Sequence, residues 1–430
     1  MAKSILIQNV HAVDTVRDEI CDILIENGKI TQIASNLHIF ADIVIDGSGL
    51  TALPGLFDMH VHFRDPGQTH KEDLQTGCAA ALAGGVTGVL CMPNTTPPMD
   101  NPTQVAEFLA RAKKTGVDVH QAGCLTVGLQ GKALADYAAL KEAGVSALSD
   151  DGRPVANDAL MEEALRQADQ NRLLIVSHCE DLSIIDGGII NKGKISEQLG
   201  VKGMDRRSED SITQRDIDLA MKTGARLHIC HVSTRGSVDA VRKAKAAGAK
   251  VTCETAPHYF MLTEEKLLSR DADFRMNPPL RTEDDRLAII EGILDGTIDC
   301  IITDHAPHAA NEKADFEKAP NGVVGLETSL AATLTALYHT KKLTLQDIVR
   351  LMSVAPRRLL GIPTIAITRG VEANFILADT EREWTVEPEK LHSKSHNTVF
   401  KGMALKGKPV LTISGGEIRY MDESLQPQSI

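Results

Sequence analysis

Residues 226–255 read RLHICHVSTRGSVDAVRKAKAAGAKVTCET. Short apolar runs at 226–231 and 250–255 flank a stretch rich in Ala and Lys that ends in Gly248, and glycine commonly terminates helices. The pattern predicts a strand, a helix and a second strand. Strands that alternate with helices in this way are typical of parallel sheets.

The same unit recurs along the middle of the chain. Its apolar runs lie at 56–62, 86–92, 118–127, 145–149, 173–178, 226–231, 250–255 and 298–304. Eight strand–helix units over about 250 residues predict an α/β protein with a (β/α)8 barrel like that of TIM. Periodicity alone also permits a doubly wound open sheet, but no GxGxxG opens a helix after the first strand, which weakens the dinucleotide-binding version of that fold. Two further helices are predicted at 325–339 and 344–354.

Both ends of the chain are predicted to form strands. ILIQNV (5–10) and DILIENGKITQIA (22–34) lie near the N-terminus, and the second contains Asn27-Gly28, a strong hairpin signal. ANFILAD (373–379) and residues 397–420 repeat short alternating runs near the C-terminus. Since neither end is long enough to bury a core alone, we predict a small β-sandwich domain built from both termini. The predicted boundaries are residues 1–54 and 366–430 for the two parts of the sandwich and 55–365 for the barrel.

Composition argues against several classes of protein. The 430 residues include 46 Lys and Arg and 58 Asp and Glu, and the net charge of −12 disfavours nucleic acid or an anionic membrane as the main partner. No run approaches the roughly 20 apolar residues that cross a bilayer, and the first residues do not resemble a signal peptide. The eight cysteines are scattered without a CxxC motif, as expected for reduced thiols. We therefore expect a cytoplasmic enzyme with a small-molecule substrate.

Side chains that bind metals fall at the ends of predicted strands. His60 and His62 lie two residues apart on the first strand, so both imidazoles should face the barrel mouth where active sites are built. Single His or Asp residues end four other strands, at Asp151, His178, His231 and Asp304. Nitrogen and oxygen ligands that converge on one rim are typical of zinc or a similar divalent ion. Strict alternation places His228 on the face opposite His231, so His228 is interpreted as structural.

Such a ligand set suits hydrolysis. A bridging carboxylate can hold two ions with a hydroxide between them, and the metal lowers the pKa of water from about 15.7 toward roughly 7, which supplies a nucleophile at neutral pH. Asp304 can serve both as a ligand and as the general acid/base that carries a proton between this hydroxide and the leaving nitrogen.

The segment DMHVHFRDPGQTHKED (58–73) resembles the signature of the dihydroorotase family, within the amidohydrolase superfamily of metal-dependent cyclic amide hydrolases. The resemblance continues in the same order through MPNT (92–95), SDDG (149–152), SHCED (177–181), HICHVST (228–234), MNPPLR (276–281), TDHAPH (303–308) and APNGVVGLET (319–328). It covers the barrel from the first strand to the last, as in the longer bacterial type of the family. It implies the reversible, zinc-dependent cyclisation of N-carbamoyl-L-aspartate to (S)-dihydroorotate plus water in de novo pyrimidine (UMP) biosynthesis.

The resemblance also implies two Zn²⁺ ions per subunit. The more buried ion would be held by His60, His62 and Asp304, and the second ion by His178 and His231. Many relatives bridge the ions with a carboxylated lysine, whereas here the spacing brings Asp151 to that place. Asp150 is the adjacent alternative.

Substrate contacts are implied where the chain matches the family's motifs, at His62, Arg64, Asn94, Asn277, His308, Asn321 and Gly322. Arg64 lies two residues beyond His62, where strand alternation places it on the same face, and it can present a bidentate fork to the substrate's carboxylate. Many relatives carry Phe-Gly where this chain has Asn321-Gly322, so we expect a backbone contact to the pyrimidine ring there.

Two alternatives stay open. A dihydropyrimidinase, hydantoinase or allantoinase would use the same barrel, but Asp151 in place of lysine and the carboxylate-binding Arg64 oppose it. A non-catalytic scaffold would be expected to lose metal ligands, and this chain keeps all six. The resemblance further implies a homodimer and, as in some relatives, association with aspartate transcarbamoylase.

Overall fold

The computed structural model describes residues 4–429 and contains eight parallel strands that pair in chain order. These strands, β1 to β8, span Leu56–Val61, Val86–Cys91, Asp118–Cys124, Ala147–Ser149, Leu174–Ser177, Leu227–Ile229, Val251–Thr255 and Cys300–Ile301. Each lies within one of the predicted apolar runs. Their sequential order confirms the barrel and excludes the doubly wound sheet, in which the strand order reverses.

The barrel closes beyond the ends of its first and last strands. Val61 forms a parallel bridge with His305, and the backbone N–H of His62 donates to the carbonyl of His305 at 2.8 Å. Because all eight strands run in the same direction, their carboxyl ends share one rim. Residues far apart in the sequence therefore meet at that rim.

The helix of the 226–255 unit illustrates why the connections are helical. It spans Arg235–Ala246 and begins after Thr234, whose side chain accepts a hydrogen bond from the backbone of Ser237. Val238, Val241 and Ala244 are buried, and their spacing of three residues forms one apolar stripe against the barrel.

The remaining α-helices span Leu74–Ala83, Pro102–Ala112, Tyr137–Glu142, Asp158–Gln170, Leu182–Ile185, Lys194–Leu199, Arg207–Thr223, Pro257–Met261, Glu283–Leu294, Ser329–Thr333, Leu345–Val349 and Ala355–Leu360. Short 3-10 segments span Val127–Leu129, Glu264–Ser269, Ala272–Phe274 and Pro388–Lys390, and π-helical segments span Leu334–Tyr338 and Arg350–Val354. Within residues 4–429, no helix has the length and apolar character needed to cross a bilayer.

Within residues 4–429, strands from both ends of the chain join in one nine-stranded sheet, which confirms that the two ends combine as predicted for the small β-sandwich. Its strands span Ile5–Val13, Asp18–Glu26, Lys29–Ala34, Ile43–Asp46, Thr51–Pro54, Phe375–Thr385, Ala404–Ser414, Glu417–Met421 and Gln428–Ser429. The two ends meet where Thr51–Pro54 pairs antiparallel with Phe375–Thr385. At the predicted hairpin, Asn27 and Gly28 have φ of 51° and 77°, as the tight turn requires. A two-stranded sheet, Ile190–Asn191 with Gly203–Met204, lies in the loop after β5.

Candidate metal and substrate site

Asp151 lies at the centre of the carboxyl rim, surrounded by histidines. Its Oδ1 is 3.4 Å from His60 Nε2, 3.4 Å from His178 Nδ1 and 3.8 Å from His231 Nε2. Its Oδ2 is 3.5 Å from His62 Nε2. One buried carboxylate thus faces four imidazoles, which is the arrangement that a bridging ligand needs.

Asp304 reaches the same cluster from the end of the last strand. It lies three residues beyond β8 and has a φ of 50°, and its Oδ1 is 3.2 Å from His62 Nε2 and 3.7 Å from His60 Nε2. Burial alone would raise the pKa of the Asp304 carboxyl, but the hydrogen bond with His62 and the neighbouring His60 outweigh it and lower this pKa to about 2. Asp304 is therefore a carboxylate at neutral pH, able to accept a proton.

Three buried atoms of this cluster have no hydrogen-bond partner among residues 4–429: His60 Nε2, Asp151 Oδ1 and His231 Nδ1. A buried polar atom left without a partner costs about 1–3 kcal/mol. Candidate ligand atoms of His60, Asp151, Cys230 and His231 lie within 4.8 Å of one another, and those of His60, His62 and Asp304 form a second such group. The donor set, which is rich in imidazole and carboxylate, fits divalent ions such as zinc.

The two adjacent aspartates, Asp150 and Asp151, make different contacts. The Asp150 carboxylate accepts hydrogen bonds from the backbone N–H groups of Leu125 and Thr126, at 2.7 and 3.1 Å, and from the Thr126 hydroxyl. Burial raises the pKa of Asp150 to about 6. Asp150 therefore ties the ends of two strands together, whereas Asp151 faces the histidines.

Carboxylates hold the outward nitrogens of two rim histidines. Glu254 Oε1 lies 2.7 Å from His60 Nδ1, and Glu254 Oε2 lies 3.2 Å from His228 Nε2. Glu180 Oε2 lies 3.1 Å from His178 Nε2. Such contacts set the tautomer and the orientation of a metal-binding imidazole, so that its other nitrogen faces the ion.

Sequence reasoning missed both glutamates and misplaced His228. Glu254 could have been found because a carboxylate inside a buried strand needs a partner, and this one lies in β7. Glu180 could have been found because it lies only two residues after His178. His228 was expected on the side opposite His231, but it points toward Glu254 in the barrel interior. The reason is that β6 ends at Ile229 and His231 has a φ of 29°, so strand alternation does not extend to His231.

A cavity of about 160 Å³ opens beside the cluster. The predicted substrate residues that line it are His62, Arg64, Asn94, Asn277, Asn321 and Gly322. Asn94 also connects two rim residues, since its Oδ1 lies 2.8 Å from His62 Nδ1 and its Nδ2 donates to Asp151 Oδ2 at 3.1 Å. The structure thus places these six of the seven predicted substrate residues beside the predicted metal ligands.

Arg64 enters this cavity by a route that strand alternation did not predict. The first strand ends at Val61, and Arg64 has a left-handed φ of 59° that turns its side chain toward the cavity. Its Nε donates to the carbonyl of Pro307 at 3.2 Å, and burial lowers its pKa to about 10, so it stays a cation at neutral pH. Among residues 4–429 it forms no ion pair with a carboxylate, which leaves the guanidinium available for an acidic ligand.

His308 is not among the residues that line this cavity, but it contacts two that are, Arg64 and Asn321. His308 Nε2 is 3.3 Å from Arg64 Nη2 and 2.9 Å from the carbonyl of Asn321. Burial and the neighbouring cations, Arg64 first among them, lower the pKa of His308 to about 2, so its ring is neutral. Gly322 has a φ of 136°, and a Cβ there would lie 2.9 Å from His308 Nε2, so this position requires glycine.

Comparisons with known proteins agree in family and fold. Residues 49–237 match the Dihydro-orotase-like family. The chain is 46% identical to a dihydroorotase of Geobacter metallireducens and 45% identical to one of Pelobacter propionicus, in each case over 97% of this chain and 99% of the relative. Its fold is similar to L-hydantoinase from Arthrobacter aurescens, with a TM-score of 0.87, 25% identity and coverage of 98% of this chain and 97% of that chain. The dihydropyrimidinase from Brevibacillus agri gives a TM-score of 0.86 at 23% identity, over 99% of this chain and 97% of that chain.

Proposed function

Because the chain belongs to the dihydroorotase family, we propose that the rim cluster and its cavity interconvert N-carbamoyl-L-aspartate and (S)-dihydroorotate. The protein is a cyclic amide hydrolase of pyrimidine biosynthesis. The observation that carries the assignment of this site is the Asp151 carboxylate, which faces four imidazoles beside the unpaired guanidinium of Arg64. Metal ligands and a carboxylate-binding group therefore share one small cavity.

The family depends on a metal, and we propose two zinc ions in this chain. One ion would be held by His60, His62 and Asp304, the other by His178 and His231, with Asp151 shared. A bound divalent ion would lower the pKa of water and polarise the amide carbonyl. The unpartnered buried atoms of His60, Asp151 and His231 support this assignment.

The side chains around the ions would orient the substrate and move its proton. Arg64 would bind the ring carboxylate as a charge-assisted pair, and the Asn321–Gly322 backbone would contact the ring edge. In ring opening, the Asp304 carboxylate would accept a proton from the attacking water and deliver it to the ring nitrogen. In cyclisation, Asp304 would carry the proton from the carbamoyl nitrogen to the departing oxygen.

We expect the purified chain to contain close to two zinc ions and to prefer dihydroorotate over dihydrouracil, hydantoin and allantoin. The expected preference in kcat/KM is at least about 30-fold, because only dihydroorotate offers a carboxylate to Arg64. Zinc analysis and steady-state kinetics on the four compounds test this. A preference for any of the other three would assign a hydantoinase-type activity. Metal-free protein that stays inactive after zinc is added would point to a non-catalytic scaffold.

Removing the guanidinium should affect only substrates that carry the carboxylate. Arg64→Ala should lower kcat/KM for dihydroorotate by an amount on the order of 2–4 kcal/mol, mainly through KM. Any turnover of dihydrouracil, which lacks the carboxylate, should stay unchanged. Arg153→Ala, an exposed arginine on the same rim, serves as the matched control. Unchanged kinetics in Arg64→Ala would mean that another group holds the carboxylate.

We also propose that the enzyme acts in the cytoplasm as a homodimer. All eight cysteines are free and buried, which suits a reducing compartment. The family resemblance supports the dimer. It also suggests that the chain associates with an aspartate transcarbamoylase. Sedimentation of the chain with and without such a transcarbamoylase, combined with the activity of the chain alone, tests whether a partner is required.

A further inference from the structure

The ammonium group of Lys313 is buried near the cavity and bonded to backbone carbonyls. Its Nζ donates to the carbonyl oxygens of Arg275 at 3.1 Å, Pro320 at 3.0 Å and Gly322 at 3.0 Å. Lys313 is only 8% exposed and, within residues 4–429, forms no ion pair. Its three protons are therefore matched by three carbonyls. Burial lowers the pKa of Lys313 to about 7, and the three carbonyls are the acceptors that its protonated form requires.

The three carbonyls belong to two segments that both line the cavity. Arg275 lies two residues before Asn277, while Pro320 and Gly322 flank Asn321. One backbone hydrogen bond already joins the segments, from the N–H of Gly322 to the carbonyl of Arg275 at 3.0 Å. Lys313 adds three contacts across the same junction.

The carbonyl of Gly322 also connects this junction to His308, through Asn397. Asn397 Nδ2 donates to the carbonyl of Gly322 at 2.9 Å, and Asn397 Oδ1 accepts the backbone N–H of His308 at 3.1 Å. His308 in turn contacts the carbonyl of Asn321 at 2.9 Å. A displacement of Gly322 would therefore disturb Asn321, Asn397 and His308 as well.

We propose that Lys313 is a positioning residue that sets the separation of the Asn277 segment and the Asn321–Gly322 loop, and thereby the affinity for the ring substrate. This inference rests on the proposed function, because the ring is the ligand that these two segments would hold. Lys313 contacts none of the six predicted metal ligands. Its loss should therefore change KM rather than kcat or metal content.

The test compares two substitutions at Lys313 with one at an exposed lysine of the same loop. Lys313→Met removes the donors but keeps the length, and should raise KM for dihydroorotate by about 10-fold or more while kcat stays within about threefold. Lys313→Arg keeps a cation, but its donors lie in one plane and do not all converge on the three carbonyls as those of one ammonium nitrogen do. It should raise KM by a smaller factor than Lys313→Met. Lys318→Met, whose side chain is 85% exposed, should leave both constants unchanged.

Zinc content and thermal unfolding of every variant accompany the kinetics. A folded, zinc-replete Lys313→Met enzyme with unchanged KM would overturn the proposal, and so would a loss confined to kcat or to zinc. If Lys313→Met does not fold, the KM of Lys313→Arg for dihydroorotate becomes the test. A KM equal to that of the unmodified enzyme would then contradict the positioning role of Lys313. Absence of dihydroorotate turnover in the unmodified enzyme would instead contradict the proposed function.

Discussion

Asp304→Asn should lower kcat for dihydroorotate by about 10²- to 10⁴-fold, the range that general acid–base catalysis contributes. Asparagine has nearly the same shape and keeps an oxygen toward His62, but it cannot accept a proton. The carboxyl of Asp304, with its pKa lowered to about 2, is ionised throughout the neutral range, so the substitution removes the proton acceptor at every working pH. Most of the zinc and the folded structure should remain, because the histidines are untouched.

Kinetics, zinc analysis and thermal unfolding on the same preparation check this expectation. Asp315→Asn, at an exposed position on the loop that follows, is the matched control and should behave as the unmodified enzyme. A nearly normal rate in Asp304→Asn would remove Asp304 from the proton transfer. Loss of zinc in parallel with the rate would limit Asp304 to the role of a ligand.

Asp151→Asn should lower zinc content and turnover together. Burial would raise the pKa of the Asp151 carboxyl, but the imidazoles of His178, His231 and His60, which face it at 3.4–3.8 Å, outweigh burial and hold this pKa well below its usual range. Substitution of a residue that hydrogen-bonds to a metal ligand typically lowers activity about 10- to 100-fold. Asp151 would itself bind both ions, so we expect its neutralisation to lower kcat by at least about 100-fold. Zinc should fall from two ions per chain toward one or none.

The adjacent aspartate provides the control. Asp150→Asn makes the same chemical change at a buried neighbour, whose carboxylate binds the backbone of Leu125 and Thr126. It should lower the unfolding temperature and leave the zinc stoichiometry intact. If Asp150→Asn strips zinc while Asp151→Asn does not, the two assignments must be exchanged.

The barrel was predictable because its signal is local and repeated. Eight apolar runs of strand length, separated by helical stretches, can bury their faces economically only around a parallel sheet covered by helices. The hairpin at Asn27-Gly28 was predictable for the same kind of reason, since the turn demands positive φ at both residues. The rim residues were found because strands of one direction share one end, so a residue that follows a strand has a predictable place.

The strand pattern lost its predictive value where the strands end. Alternation was extended to Arg64 and His231, but both lie beyond their strands with positive φ, so their directions follow from turns. The contact of His60 with Glu254 joins residues 194 positions apart, and no local pattern specifies such a pair. Lys313 likewise binds backbone carbonyls, whose positions depend on how two segments, around Arg275 and around Asn321, pack together. Periodicity therefore placed the predicted metal ligands at one rim, whereas packing between distant segments turned Asp151, and not Asp150, toward the histidines.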